Sequence, residues 1–426
     1  MAKSLHILKR KIKAGALYYT ILISFIIAAI LIALIMHNYL QNRYTDMLIM
    51  QDKVSRNAGS AIQMMLGNPA LCEYNKETEI NLFDDDNEKV TVSKKKWGGY
   101  DIFNAKAEWK NYSVLKSALC GINKAGHDST ALYLSDENIY LSVCGSTLIK
   151  GNCKLPKMGV RKANIEGKFY KNEKEIYGKI GASSNSLPKI ITSINNFISK
   201  IRKQDNLTND SIISFNDLNQ RFACRSFREK TLIAYDPGII YLKRQKINGN
   251  IVIVSDMGIR IAKEAKLNNI IIVAPRIHFE QAFTGQVQAF ATDSMVVDKN
   301  CYFKLPSLLA IFNENINQAG ISIDEDVIIA GGVILFQENK PVNPSILDIG
   351  KNTTIYGTVY INGNVQVKGT IYGSLYCNRF FLQTPAAYYE NHLLDAIINN
   401  TDLPKSFTGY QLFENEKDMK IIEWLK

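Results

Sequence analysis

An uninterrupted apolar segment near the amino terminus constrains this 426-residue chain more than any other feature. Residues 14–36, AGALYYTILISFIIAAILIALIM, contain no charged side chain. A helix rises about 1.5 Å per residue, so this segment is long enough to cross the roughly 30 Å hydrocarbon core of a bilayer. We therefore expect a transmembrane helix at 14–36. A cleaved signal peptide is the alternative, although its apolar core usually has only about 7–15 residues.

The segment that precedes this helix predicts its orientation. Residues 1–13 form a basic tail with no acidic residue; its cations are Lys3, Lys9, Arg10, Lys11 and Lys13. Positive flanks stay on the cytoplasmic side of a membrane. We expect a single-pass protein of the inner (cytoplasmic) membrane, N-in and C-out, with a periplasmic or extracellular domain.

The formal net charge of +11 includes the five cations of that tail. The remaining positive charge is spread along the chain, and the one dense run, Lys94-Lys95-Lys96, follows the acidic run Asp84-Asp85-Asp86. Neighbouring runs of opposite charge predict a solvated loop. We therefore do not expect nucleic acid among the partners.

The helix is predicted to continue beyond the membrane as an amphipathic segment at 37–69. Its apolar residues recur every three or four positions, which places them on one helical face. They are Met47, Met50, Val54, Ala58, Ala61 and Met65. Gly67-Asn68-Pro69 ends the helix. One helix from residue 14 to residue 66 would be about 80 Å long.

This arrangement resembles the amino-terminal helix of type IV pilins and type II secretion pseudopilins, in which a short basic leader precedes an apolar half-helix and then an amphipathic half that carries a β-rich head. Lys13-Ala14-Gly15 stands where the leader would end, and Thr20 where most pilins have a glutamate. The resemblance implies assembly with neighbouring subunits. Small residues in the apolar half permit close helix approach. The expected assembly face comprises Ala28, Ala29, Ala33, Met47, Met50, Val54, Ala58 and Ala61. An ordinary signal anchor is the alternative.

Residues 70–187 are predicted to form a β-rich, membrane-proximal domain. In it, Leu132–Leu134 and Ile139–Leu141 flank a polar turn and predict a hairpin. A helical and polar insertion is expected at 188–230, with an amphipathic helix near 190–203.

Residues 231–383 predict a parallel β-helix. The runs NIVIV (250–254) and NIIIV (269–273) begin 19 residues apart, and each precedes a second short strand. Near the end of this region Gly357, Gly363 and Gly369 recur every six residues, at corners where a side chain would clash. An antiparallel meander is the alternative.

The segments 354–359 and 367–373 resemble bactofilins, the bacterial β-helix proteins that polymerise. The resemblance covers about 25 residues and implies a β-helix fold. Residues 384–426 are predicted to form a helical cap, with helices at 386–399 and 416–425. A cap would cover the strand edges through which such a stack polymerises, and so argues against polymerisation.

The seven cysteines form no CxxC pair, and the five histidines are dispersed, so neither a metal site nor a cofactor is expected. Cys144 and Cys153, nine positions apart on two short strands, are the most plausible disulfide pair in an oxidising compartment. Buried free thiols are the alternative.

No catalytic sequence motif is found, and the chain is expected not to be an enzyme. Arg276, His278 and Glu280 alternate along one predicted strand and so share a face. They are the candidates for a carbohydrate site, and an exposed polar face explains them equally. Two hypotheses follow: a structural or adaptor subunit of a pilus-like or type II secretion-like envelope assembly, with envelope proteins as partners; or an anchored polysaccharide-binding or polysaccharide-cleaving β-helix.

The expected topology can be tested with a reporter fused after Asn68. Because the basic tail should remain in the cytoplasm, the reporter should be active only outside it. In parallel, Ala28→Arg should raise the apparent insertion free energy by about 2.5–3.5 kcal/mol, measured by membrane fractionation. Cytoplasmic reporter activity in the unaltered chain would contradict the topology.

Overall fold

The computed structural model describes residues 15–82, 88–124, 130–203, 211–218, 222–339 and 341–425. Strands dominate it, as the sequence predicts, and one long helix precedes them. The basic tail 1–13 and the acidic run 84–86 lie outside the described residues, so the topology expected from the tail stays a prediction.

Helix α1 spans Gly15–Gly67 without interruption. It ends at Gly67 because Pro69 follows closely, and a short 3-10 helix, Pro69–Leu71, turns the chain. Residues 15–49 are exposed along their whole length. Among the described residues α1 is the one helix long and apolar enough to cross a membrane, a property that signal sequences share.

The first sheet is antiparallel and packs against the second half of α1. Its first four strands are β1 (Glu77–Ile80), β2 (Glu88–Trp97), β3 (Tyr100–Trp109) and β4 (Tyr112–Asn123). Each pairs with the next, and Gly98-Gly99 forms the tight turn between β2 and β3. We call this sheet the meander.

Eight short strands follow. They are β5 (Thr130–Leu134), β6 (Leu141–Cys144), β7 (Leu148–Lys150), β8 (Asn152–Leu155), β9 (Val160–Lys162), β10 (Asn164–Ile165), β11 (Lys168–Phe169) and β12 (Ile180–Ala182). The predicted hairpin at 132–141 is wrong, because β5 and β6 do not pair with each other: β5 pairs in parallel with β8, and β6 with β9. Asn138, with φ of 59°, turns the chain between them.

Helix α2, Ser193–Lys203, confirms the amphipathic helix predicted near 190–203. The following strands are β13 (Ser211–Ser214), β14 (Phe222–Arg225), β15 (Leu232–Asp236), β16 (Ile239–Leu242), β17 (Lys246–Gly249), β18 (Ile251–Ser255), β19 (Gly258–Ile261), β20 (Lys266–Asn268), β21 (Ile270–Val273), β22 (Arg276–Phe279), β23 (Thr284–Gly285), β24 (Val287–Ala291), β25 (Ser294–Val297), β26 (Tyr302–Asn313), β27 (Gly320–Ile323), β28 (Ile328–Gln337), β29 (Ile346–Ile349), β30 (Thr354–Val367), β31 (Thr370–Gln383), β32 (Tyr388–Glu390), β33 (His392–Leu394) and β34 (Ile397–Asn399).

Nearly all of these strands pair in parallel and form three ladders, which we call the stack. Ladder A runs β13–β15–β18–β21–β24–β26–β28–β30–β31–β5–β8–β12. Ladder B contains β16–β19–β22–β25–β27–β29–β30 and, separately, β33–β6–β9. Ladder C contains β14–β17–β20 and β23–β26–β28–β30–β31–β34–β7. The two similar runs at 250–254 and 269–273 pair in register, Val252 with Ile271.

Side chains from all three ladders meet in one apolar cluster, to which almost every strand of the stack contributes alternate residues. Ladder A differs from the others because its outward residues are also apolar. Val252, Ile271 and Leu308, for example, pack against the meander and α2 in a second cluster. Strands covered on both sides need apolar residues at every position, which explains why NIVIV and NIIIV do not alternate.

The predicted helical cap at 384–426 is wrong. Residues 388–399 form β32, β33 and β34, because Asn391 and Asp395 adopt left-handed angles (φ of 52° and 55°) that turn the chain and cannot continue a helix. The last strands, β35 (Thr408–Gly409) and β36 (Met419–Leu425), pair with β4 of the meander, so tertiary pairing overrides the helical periodicity of this segment.

Three stacked glycines form the corner between ladders C and A. Gly331, Gly357 and Gly373 pair in register and have φ of 145°, 131° and 144°. A Cβ atom on Gly357 would lie 1.9 Å from the carbonyl oxygen of Gly331. A Cβ atom on Gly363 or Gly369 would likewise lie 2.4 or 2.3 Å from a backbone oxygen. The positions predicted as corners therefore have no room for a side chain.

Gly357→Ala should lower the free energy of unfolding by about 1–2 kcal/mol through its backbone angle and by about 1–3 kcal/mol more through overpacking. Thermal unfolding of the purified protein measures this loss. The matched control is Gly320→Ala, whose Cβ would meet its nearest atom, the Ile346 oxygen, at 3.6 Å. Equal stability of the two variants would contradict the role of the glycine corner.

Candidate functional site

One apolar stripe runs along α1, and its second half is covered by the meander. Val54, Ala58, Ala61 and Met65 are buried, so three positions of the expected assembly face, Val54, Ala58 and Ala61, pack on the protein's own sheet. Ala58 and Ala61 have no exposed surface, so the helix backbone lies close to the strands. This contact joins the helix to its head.

The first half of the same stripe is not covered. Met47 remains 36% exposed and Met50 is half-buried, so these two positions of the expected assembly face are less covered than Val54 and Ala58. Leu40 and Tyr44, at helical spacing before Met47, extend the stripe and are exposed. In the sequence these two residues stand in a polar stretch that follows the apolar run, and their helical spacing to Met47 is the signal that indicates them.

Ala28, Ala29 and Ala33 lie in the exposed, apolar part of α1. Their small side chains leave the helix surface open to a neighbouring helix. These alanines and the uncovered part of the stripe both belong to the first 35 residues of α1, 15–49, all of which are exposed. Assembly through these residues stays a prediction at this point.

A buried polar network fixes the end of α1 to the meander. Lys94 donates to the carbonyl oxygen of Pro69 at 2.8 Å and lies 4.2 Å from the ring centre of Tyr74. Tyr74 donates to Asp101 at 2.9 Å, and the Lys96 ammonium lies 3.0 Å from the same carboxylate. Burial lowers the pKa of Lys94; burial and the Asp101 charge raise the pKa of Tyr74.

The solvated loop predicted for Lys94-Lys95-Lys96 is therefore wrong. These residues lie on β2, where Val90, Val92 and Lys94 are buried on one face and Lys96 continues the alternation. The two lysines are buried because Asp101 and Tyr74 supply charge and hydrogen-bond partners. The period of two in V-T-V-S-K-K-K was the signal that could have shown it.

The predicted carbohydrate candidates divide into separate contacts. His278 pairs with Asp298 through Nε2 and Oδ2 at 3.0 Å. Glu280 is held by Arg260 at 2.5 Å and accepts a hydrogen bond from Tyr241 at 3.1 Å.

Arg276 lies on the same strand, exposed, and stacks between Gly258 and Ser294 of the neighbouring strands. Among the described residues, no hydrogen bond or ion pair joins it to His278 or Glu280. Arg276 and His278 alternate on β22, whereas Glu280 follows the end of that strand. The carboxylates of Asp298 and Glu280 belong to separate ion pairs, with His278 and Arg260 respectively. Such ion pairs are what an exposed polar sheet face forms.

A groove of about 1090 Å³ lies where the chain leaves and rejoins the meander. Tyr133 and Tyr376, stacked 6.0 Å apart, form part of one wall. Lys124 and Glu416 form a nearly buried ion pair in its lining, and Glu416 also accepts from the backbone N–H of Leu412 at 2.7 Å. Each charge of this pair is neutralised by the other. The pair therefore links the point where the chain leaves the meander to the point where it returns.

The predicted disulfide between Cys144 and Cys153 is absent, and both are free thiols. The Cys153 side chain packs inside the stack, whereas the Cys144 side chain packs outside it with Ile165 and Leu382. Cys144 Sγ lies 2.8 Å from the Lys168 carbonyl oxygen. Because the two strands belong to different ladders, the short spacing of nine positions does not bring the sulfurs together. Burial raises the pKa of Cys153 to about 12.

Among the described residues, no three His, Cys, Asp or Glu side chains are grouped to hold a metal ion. Comparisons with known protein families, curated proteins and solved structures find no match to this chain.

The polar network at the end of α1 yields a test. Asp101→Asn should leave the Lys96 ammonium buried without a counter-charge and lower the free energy of unfolding by about 3–5 kcal/mol. In the double variant Lys96→Met/Asp101→Asn much of that loss should be recovered. Thermal unfolding measures both, and a loss below about 1 kcal/mol in the single variant would contradict the network's role.

Proposed function

We propose that this chain is a non-enzymatic, membrane-anchored structural or adaptor subunit of a bacterial cell-envelope assembly of the pilus-like or type II secretion-like kind. Helix α1 would cross the inner membrane once, N-in and C-out, with the meander and the stack in the periplasm or outside the cell. The stack would be a parallel β-helix, a reading supported by its three parallel ladders and single inner cluster.

The uncovered stripe on α1 carries this proposal. Residues 15–49 are exposed and span about 52 Å, whereas a bilayer core is about 30 Å thick. Roughly 20 Å of helix therefore extends beyond the membrane before the meander covers it. Leu40, Tyr44 and Met47 lie on that part, and apolar side chains in a row on a water-exposed helix indicate a protein partner.

The packing of the head supports the same proposal. A long helix with an apolar first half, whose second half packs on an antiparallel sheet, is the arrangement that the resemblance to pilins implies. For the alternative, an anchored polysaccharide-binding or polysaccharide-cleaving protein, the acidic candidate Glu280 is already engaged by Arg260 and Tyr241. We therefore favour assembly.

Asp substitutions along the stripe separate assembly from folding. Met47→Asp should leave the thermal unfolding of the head unchanged but abolish photo-crosslinking of α1 to neighbouring subunits. Val54→Asp places the same charge in the buried half and should destabilise the head by about 3–5 kcal/mol. Asn42→Asp, on the opposite helical face, is the matched control and should change neither quantity.

A second variant tests the membrane part of the face. Ala29→Leu adds bulk where neighbouring helices would meet, so it should abolish co-purification of partners without affecting membrane insertion or stability. If a crosslinker at position 47 of the unaltered protein captures no subunit, neither another copy nor another envelope protein, the assembly proposal fails.

A further inference from the structure

The far end of the stack presents an open strand edge. Among the described strands, β12 pairs with β8 alone. The Lys179 oxygen accepts from the Cys153 N–H, and the Ser183 N–H donates to the Leu155 oxygen, both at 2.8 Å. Residues 179 and 183 therefore face β8. Ile180 and Ala182, one position out of phase, direct their backbone groups to the opposite, unpaired side.

The apolar interior of the stack is also uncovered at this end. Ile180 is in register with the buried Cys153, yet it is 56% exposed because no further strand of the described part of the chain lies over it. Phe169, Met158 and Tyr177, from neighbouring segments, are exposed as well. An unpaired edge beside uncovered apolar side chains is a template for one more strand.

The same end is strongly basic. Residues 150–182 contain nine Lys or Arg and three Glu, which gives 9 − 3 = +6. Lys168 is paired with Asp395 at 2.9 Å. Five other lysines are exposed and have no ion pair within the described residues: Lys154, Lys157, Lys171, Lys174 and Lys179. The composition of the whole chain hides this concentration.

We propose that this end, β12 with the basic segment 150–182, is a docking surface for an acidic, extended segment of a partner protein, which adds a strand to β12. Acidic side chains would pair with the free lysines, and alternate apolar ones would cover Ile180. This surface is separate from the helix face proposed above.

The charge distribution argues against a second copy as the occupant. The opposite end of the stack, residues 211–218 and 222–249, has six Lys or Arg against three Asp or Glu. Head-to-tail stacking of two copies would bring two basic ends together, and these repel each other. An acidic partner is attracted to the same lysines, which therefore favour it over a second copy. A polysaccharide would satisfy the lysines but leaves the backbone edge unpaired.

Binding of two labelled peptides to the full-length protein in detergent micelles tests the proposal by fluorescence anisotropy. An eight-residue peptide of alternating valine and glutamate should bind, and its valine–lysine counterpart should not. Lys154→Glu/Lys157→Glu/Lys179→Glu should weaken binding of the acidic peptide at least tenfold and create binding of the basic one. The matched control, Lys299→Glu/Lys304→Glu/Lys351→Glu, should change neither.

The backbone edge is tested separately by Ala182→Pro, which removes an outward N–H. It should weaken peptide binding at least tenfold, whereas Ala182→Ser should not. Three outcomes would overturn the proposal. They are failure of the acidic peptide to bind, failure of the charge-reversed variant to exchange its preference, and displacement of the peptide by an equal charge of polygalacturonate. If Ala182→Pro fails to fold, judged by thermal unfolding, the charge exchange decides.

Discussion

The pairing of β36 with β4 is the constraint on which the rest of the architecture depends. Met419 lies opposite Ile122, so the chain leaves the meander at Asn123 and must return to the same strand almost 300 residues later. The stack is thus an insertion whose two connections meet. Ladder A has twelve strands, and at about 4.8 Å per strand it is roughly 50 Å long. A simple stack would hold its two chain ends that far apart.

The chain resolves this conflict by entering the stack in the middle. Strand β5, the first of the insertion, pairs with β31, the strand of ladder A that comes last along the chain. The chain runs to one end at β12, crosses back through α2 to the other end at β13, and then returns strand by strand to β31. The crossing accounts for α2. Ile194, Ile198 and Ile201 pack on the outer side of ladder A, which the meander covers elsewhere.

This topology separates what the sequence could reveal from what it could not. Local patterns were sufficient for α1 and for the register of Val252 with Ile271, because helical periodicity and repeated strands are short-range signals. Local periodicity predicts a helix at 416–425, and it fails there because the strand partner of 419–425, β4, lies some 300 residues away in the chain. Asn391 and Asp395 adopt left-handed backbone angles and turn the chain between short strands, which a helix over 386–399 does not allow.

The candidate site shows the same division. The stripe from Met47 to Met65 was visible in the sequence as spacing, but where coverage begins was not, because that depends on the position of the meander along the helix. Lys94 and Lys96 looked solvated because their counter-charge, Asp101, comes from the next strand. Local sequence does not show that the chain crosses the stack, nor that the basic segment 150–182 lies at one end of it. Both depend on the order in which distant strands pair.

The same topology bears on how the two proposed surfaces relate. A stack entered from its middle has two free ends, and neither is a chain terminus or a connection to the meander. One end can therefore present an open edge without weakening the contact between the stack and the meander. In that contact the Gln288 side chain accepts from the Gly99 N–H at 2.8 Å and donates to the Trp97 carbonyl oxygen at 3.0 Å. The uncovered part of the helix stripe lies on α1, before the residues of that helix that form a cluster with the meander. Substitutions at the two surfaces share no contacts, so their effects on stability should add. Assembly through the helix and recognition through the stack can then be altered independently in one protein.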